Sequence, residues 1–132
     1  MDISDWAKNL VERKKKDLQE KRIKDHKLHA HLEKKWTEVC QAAQKATEEL
    51  NKEMGEEYVR FSQDADASKF SLKVGETDNV VRLDRPNCRI RGSRGKTYHL
   101  TIVGDTAVWK YDPVDYTSEQ IARDEVQQAF ES

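Results

Sequence analysis

The chain has 132 residues, enough for one domain with one modest core, and 37% of them are charged against 36% hydrophobic. Acids and bases nearly cancel, so the net charge of −1 names no partner. No apolar run approaches membrane-spanning length, and the opening "MDISDWAKNLVERKKK" lacks the basic start, apolar run and cleavage site of a signal peptide.

The two cysteines, Cys40 and Cys88, lie far apart in unlike patterns and read as buried free thiols of a reducing compartment, so the expected setting is the cytoplasm. Charge falls in blocks. Residues 13–35 hold ten Lys/Arg against four Asp/Glu, and residues 38–66 hold eight acids against three bases. Residues 82–96 are basic again, six against one, and residues 105–131 acidic, seven against two. Alternating blocks mark solvated faces and, in some proteins, self-complementary assembly.

From Ile3 to Met54 there is no glycine or proline, and Leu, Ala, Lys, Glu and Gln dominate. These residues predict one helix, stopped by Gly55. Such a helix is about 78 Å long, against about 35–40 Å for a compact domain of this size. It must therefore protrude, bend or pack on another chain. Leu32, Trp36, Val39, Ala43, Ala46 and Leu50 alternate by four and three and form a narrow core seam. Upstream, Lys14, Asp17, Lys21 and Asp25 break the seam, and Ile3, Trp6 and Leu10 restore an apolar stripe at the far end. The expected organisation is a charged helical arm over residues 1–31 and an α+β domain over residues 32–132. The arm either folds back or docks on a second copy, and docking is preferred. Only the distal half has clean heptads, so the pattern is not a leucine zipper.

After Gly55 the period changes to two. Strands are expected near 58–62, 69–74, 79–84, 88–91, 97–103 and 106–111, joined by turn-forming segments, which gives an antiparallel meander of about six strands. A two-residue turn at Gly104-Asp105 sets Leu100 opposite Trp109 and Ile102 opposite Ala107. Tyr98, Leu100, Ile102, Ala107, Trp109 and Tyr111 then share an apolar face, with Thr97, His99, Thr101, Val103, Thr106, Val108 and Lys110 on the other. Val59, Phe61, Phe70, Leu72, Val74, Val81, Leu83, Cys88 and Ile90 join the inner face by the same alternation. Asp112, Asp115 and Tyr116 read as an acidic link into a short C-terminal helix from about Ser118 to Phe130. Thr117 and Gln120 form its capping box, and Ala122, Val126 and Ala129 or Phe130 its apolar stripe. Both helices cover one face of the sheet, an α+β layer.

The open face is expected to be basic, with Arg60, Lys73, Arg82, Arg89, Arg91, Arg94, Lys96, His99 and Lys110 as its binding residues, opposed chiefly by Asp84. A basic sheet suits an anionic protein or peptide, or a phosphate backbone. The aromatic rings that stack on single-stranded bases point inward here, which disfavours nucleic acid. Arg, Lys and Thr on an open strand face also serve simply to prevent edge-to-edge aggregation.

"GSRGKT" has the ending of a phosphate-binding P-loop, but Ile90 stands where its first glycine belongs and a strand follows where a helix is needed. Asp25, His26, His29 and His31 offer two ligands on one helix face without a second cluster to complete a metal site, so no metal or cofactor is expected. No serine sits in a nucleophile elbow, and neither cysteine position suits a thiolate. The expected function is a non-enzymatic protein-binding or assembly module. Ile3, Trp6 and Leu10 on the arm would mediate homodimerisation or partner docking, and the basic face would be a second surface. The alternatives are a nucleic-acid-binding accessory protein, and a small-ligand carrier or enzyme with a pocket between sheet and helices.

Overall fold

A computed structural model describes residues 2–132 as an α+β fold with a long N-terminal helix, a seven-stranded antiparallel sheet and a short C-terminal helix. Helix α1 (Ile3–Met54) runs 52 residues without interruption. The Asp2 side chain accepts from the Asp5 backbone N–H at its start, and Gly55 ends it with φ +75°, a left-handed conformation that costs glycine no steric clash. The Asn51 side chain fixes the exit. Its oxygen accepts from Tyr58 N (3.0 Å) and Val59 N (2.9 Å), and its amide donates to Val59 O (2.8 Å).

The strands are β1 (Arg60–Gln63), β2 (Lys69–Val74), β3 (Thr77–Asp84), β4 (Arg89–Arg91), β5 (Thr97–Val103), β6 (Thr106–Tyr111) and β7 (Val114–Tyr116), paired in sequence order. The β5–β6 hairpin has the expected register, with Leu100 opposite Trp109 and Ile102 opposite Ala107. β7 was not anticipated from the sequence. Asp112, Asp115 and Tyr116 read as a link, yet past Asp112 and Pro113, whose peptide is cis, the chain runs back along β6 so that Tyr116 pairs with Trp109 and Asp115 with Lys110. The expected first strand at 58–62 begins only at Arg60, because Asn51 holds Tyr58 and Val59.

Helix α2 (Ser118–Glu131) carries the complete Thr117/Gln120 capping box. Both helices pack on the inner face. The core joins Leu32, Trp36 and Val39 of α1 to Phe70, Leu72, Val81, Ile90, Tyr98 and Trp109 of the sheet and Ile121 and Val126 of α2. Trp36 stacks on Phe70 with ring centroids 5.6 Å apart, and its indole N–H donates to the Ala67 carbonyl. The α1 seam is wider than the four-three alternation implies. Cys40 and Thr47 are buried, whereas Ala46 and Leu50 are only half-buried. A helix laid on both a sheet and a neighbouring helix needs a broad apolar stripe, not the narrow one of a coiled-coil pair. No helix among the described residues is long and apolar enough to cross a membrane.

Candidate functional site

Three surfaces are prominent: the projecting part of α1, the open face of the sheet, and a groove between the helices. The first fully buried side chain of α1 is Leu32, with Leu28 half-buried and His29 Nδ1 3.4 Å from Cys88 Sγ. Upstream of these, nearly every residue is exposed, including Ile3 (82%), Trp6 (57%) and Leu10 (49%), and also Val11, Leu18 and Ile23. Twenty-five helical residues therefore stand beyond the domain, about 37 Å at 1.5 Å per residue. Burying a tryptophan releases far more free energy than capping a helix, so an exposed Trp6 on an arm this long is the feature least explained by folding alone.

On the open face, residues paired across strands form rows. One row runs Arg60–Lys73–Asp78 and another Asp84–Arg89–His99–Lys110–Asp115. Much of this charge is opposed. Arg89 Nε lies 2.7 Å from Asp84 Oδ2, Arg60 is bridged to Glu57, and Lys110 Nζ is 3.8 Å from Asp112. Hydrogen bonds from Asn87 and Arg89 hold the Asp84 carboxyl below its ordinary range. The row between them, Lys69–Arg82–Arg91–Thr97, contains no acid. Arg82 and Arg91 are exposed, and together with Asp78, Gly92, Ser93, Gly95 and Thr97 they line a cleft of about 450 Å³.

Arg94 and Lys96 leave this face. The Arg94 guanidinium donates to the Gln128 carbonyl of α2 (3.0 Å). Lys96 Nζ donates to Tyr116 Oη (3.1 Å) and sits 4.7–5.5 Å from the ring centres of Tyr98, Tyr111 and Tyr116. The strand alternation that turns Tyr98 inward also turns Lys96 inward, so their expected place with the open-face arginines is corrected. The hydrogen bond it donates to Tyr116 leads the effects that hold Lys96 above the ordinary lysine range.

Beneath the turn between β4 and β5 lies Glu125, fully buried on α2. Its Oε2 accepts from Ser93 N (3.2 Å) and Ser93 Oγ (2.8 Å), while Oε1 and the Tyr98 hydroxyl have no hydrogen-bond partner among the described residues. Burial raises the Glu125 pKa, with the Ser93 bonds opposing it. Gly92 passes so close that a Cβ there would overlap Glu125 Oε1. Sequence reading missed this carboxylate. Its one signal was position, because 125 falls between Ala122, Val126 and Ala129 on the apolar stripe of α2.

The groove, about 1140 Å³, runs between α1 and α2 over β6. Its apolar lining includes Ala42, Ala46 and Leu50 of α1, Trp109 of β6, and Val126 and Phe130 of α2. The Trp109 indole N–H donates to Ser118 Oγ (3.1 Å) at one end. The charged groups Lys35, Glu38, Lys45, Glu49, Glu119 and Arg123 also border it.

The thiols are quiescent. Burial pushes Cys40 up to about 12 and raises Cys88 as well, where Asp25 and Asp84 add to the effect. Among the described residues no three His, Cys, Asp or Glu side chains are grouped to hold a metal ion, and His29 faces Cys88 alone. No protein-family model, curated protein or solved structure matches the chain.

Proposed function

We propose that the chain is a non-enzymatic assembly module of a reducing, cytoplasmic setting, whose N-terminal arm associates with a second copy of the chain. One observation carries this reading: the arm holds Ile3, Trp6 and Leu10 exposed far from the core that its own helix helps to build. The quiescent thiols support a binding role over a nucleophilic one. Deleting residues 1–12 should lower the sedimenting mass toward that of one 15.4 kDa chain while far-UV circular dichroism and the urea midpoint report an intact sheet. An unchanged mass for the deletion and the full chain across micromolar concentrations refutes arm-mediated association.

The open face is the second surface, and its acid-free row of Lys69, Arg82 and Arg91 suits an anionic partner. An acidic peptide is favoured over a polynucleotide because the sheet rings Phe70, Tyr98 and Trp109 are buried on the inner face, under the helices. Fluorescence anisotropy with an acidic peptide and with single- and double-stranded oligonucleotides separates the two. Oligonucleotide binding that weakens steeply with salt, in the roughly 10⁻⁴–10⁻⁶ M range of non-specific binders, would favour nucleic acid.

A further inference from the structure

We infer that the groove between α1 and α2 is the receptor for the arm, so that two copies pair with their α1 helices nearly antiparallel and each arm fills the other copy's groove. This rests on the association role proposed for the arm and names where the arm goes.

The first argument is angular. At 3.6 residues per turn, Ile3, Trp6 and Leu10 at the tip of α1 and Ala42, Ala46 and Leu50 at its base fall within about 80° of one another around the helix. The base residues line the groove, so the arm's apolar stripe lies on the groove-facing side of the same helix. A two-fold axis crossing α1 near His26 carries that side onto itself and lays each tip against the other copy's base.

The second argument is register. The alignment that sets Trp6 against Ala46 also sets Leu10 against Ala42 and Ile3 against Glu49, one step from Leu50. Two small alanines over Trp109 leave room for a large ring where Trp6 would enter. Through the polar middle, the same alignment opposes Lys14 to Glu38, Asp17 to Lys35 and Lys27 to Asp25. Of the four residues that break the apolar seam within one chain, Lys14, Asp17 and Asp25 thus find opposite charges on the next, and Lys21 meets His31. A single alignment sets Trp6 and Leu10 on alanines at both ends and pairs three opposite charges between them.

Disulfide trapping tests the alignment on the full-length chain. Ile3→Cys and Glu49→Cys variants are made singly, then mixed and oxidised mildly, and read on non-reducing gels. The native thiols stay silent because both are buried. The expected result is a covalent dimer from the mixture and none from either variant alone. A dimer from Ile3→Cys alone means the arms pair with each other in parallel, and no dimer from the mixture means the arm does not reach the groove. Either result overturns the inference. A second variant, Ala46→Lys, places a long charged side chain where Trp6 would pack and should raise the dimer dissociation constant at least tenfold by analytical ultracentrifugation, with melting unchanged. If deleting residues 1–12 abolishes dimers but Ala46→Lys does not weaken them, the arm associates elsewhere and only the groove assignment falls. If neither change alters the mass, the association role falls with it.

Discussion

Replacing Trp109 with alanine should cost about 3–5 kcal/mol, the range for removing a large buried aromatic. The side chain is 1% exposed. An aromatic of this kind buries about 150–250 Å², worth about 4–6 kcal/mol at ~25 cal/mol per Å², and alanine retains the Cβ share. Two local features hold the cost within this range. The void opens onto the groove, so water enters it and part of the cavity penalty is relieved. Ser118 Oγ loses the indole donor but keeps the Lys35 carbonyl at 3.3 Å and the Glu38 carboxylate at 3.2 Å, so no buried group is orphaned. Trp109→Phe separates these contributions and should cost about 1–2 kcal/mol, mostly the lost hydrogen bond and some area. Urea melts followed by circular dichroism and by Trp36 fluorescence provide the measurement. A loss of 4 kcal/mol lowers the midpoint by roughly 2 M at a mid-range slope. A cost below about 1 kcal/mol for the alanine variant would mean that Trp109 is not beneath the helices. The assignment of the acid-free row to the open face would then fail with it.

Three further outcomes follow from side chains already described. Glu125→Gln should stabilise the fold at neutral pH. Burial raises the folded-state pKa, so the native state binds the extra proton and stability falls as pH climbs from the unfolded carboxyl value of about 4.3. That decline is at most about 1.4 kcal/mol per pH unit and should flatten in melts of the variant; an unaltered pH slope would refute it. Asn51→Ala strands two backbone N–H groups and the Val59 carbonyl at the exit of α1 and should cost about 2–3 kcal/mol by urea denaturation, whereas a neutral result would mean that water replaces the amide there. Cys40 should stay unmodified by a thiol-specific disulfide reagent at pH 8 until the chain is unfolded, and rapid native labelling would contradict its burial.

The parts of this fold that the sequence displays are those governed by periodicity. Uninterrupted helix formers from Ile3 to Met54 leave no other element possible there, and the Gly104-Asp105 turn fixes which side of β5 and β6 is apolar. What escaped were features set by neighbours distant in sequence. Val114 and Tyr116 become a strand only because Lys110 and Trp109 offer a free edge, and three residues beside a proline carry too little pattern to show it. Glu125 is unremarkable on a helix that is acidic overall, and only the approach of Gly92 and Ser93 makes it a buried carboxylate. Lys96 was drawn to the basic face by its company in "GSRGK", although its parity with Tyr98 pointed inward. The groove is a property of the gap between α1 and α2, which no single segment encodes. Half-burial of Ala46 and Leu50 is its only trace in the α1 seam.

The continuity of α1 makes the arm a keyed shaft. Asp2 caps the same helix whose far half is locked into the sheet by Trp36, Val39 and Ala43, and no glycine or proline between them lets the tip swivel. Whatever grips Trp6 therefore also sets the rotational phase of the domain, and with it the direction in which Arg82 and Arg91 face. Inserting one residue between Arg13 and Ile23 touches neither surface, yet it turns the tip by about 100° relative to the sheet. Inserting seven restores the phase to within about 20° and lengthens the reach by about 10 Å. Position along the arm and angle around it are thus two separately adjustable coordinates of one molecule's attachment to another.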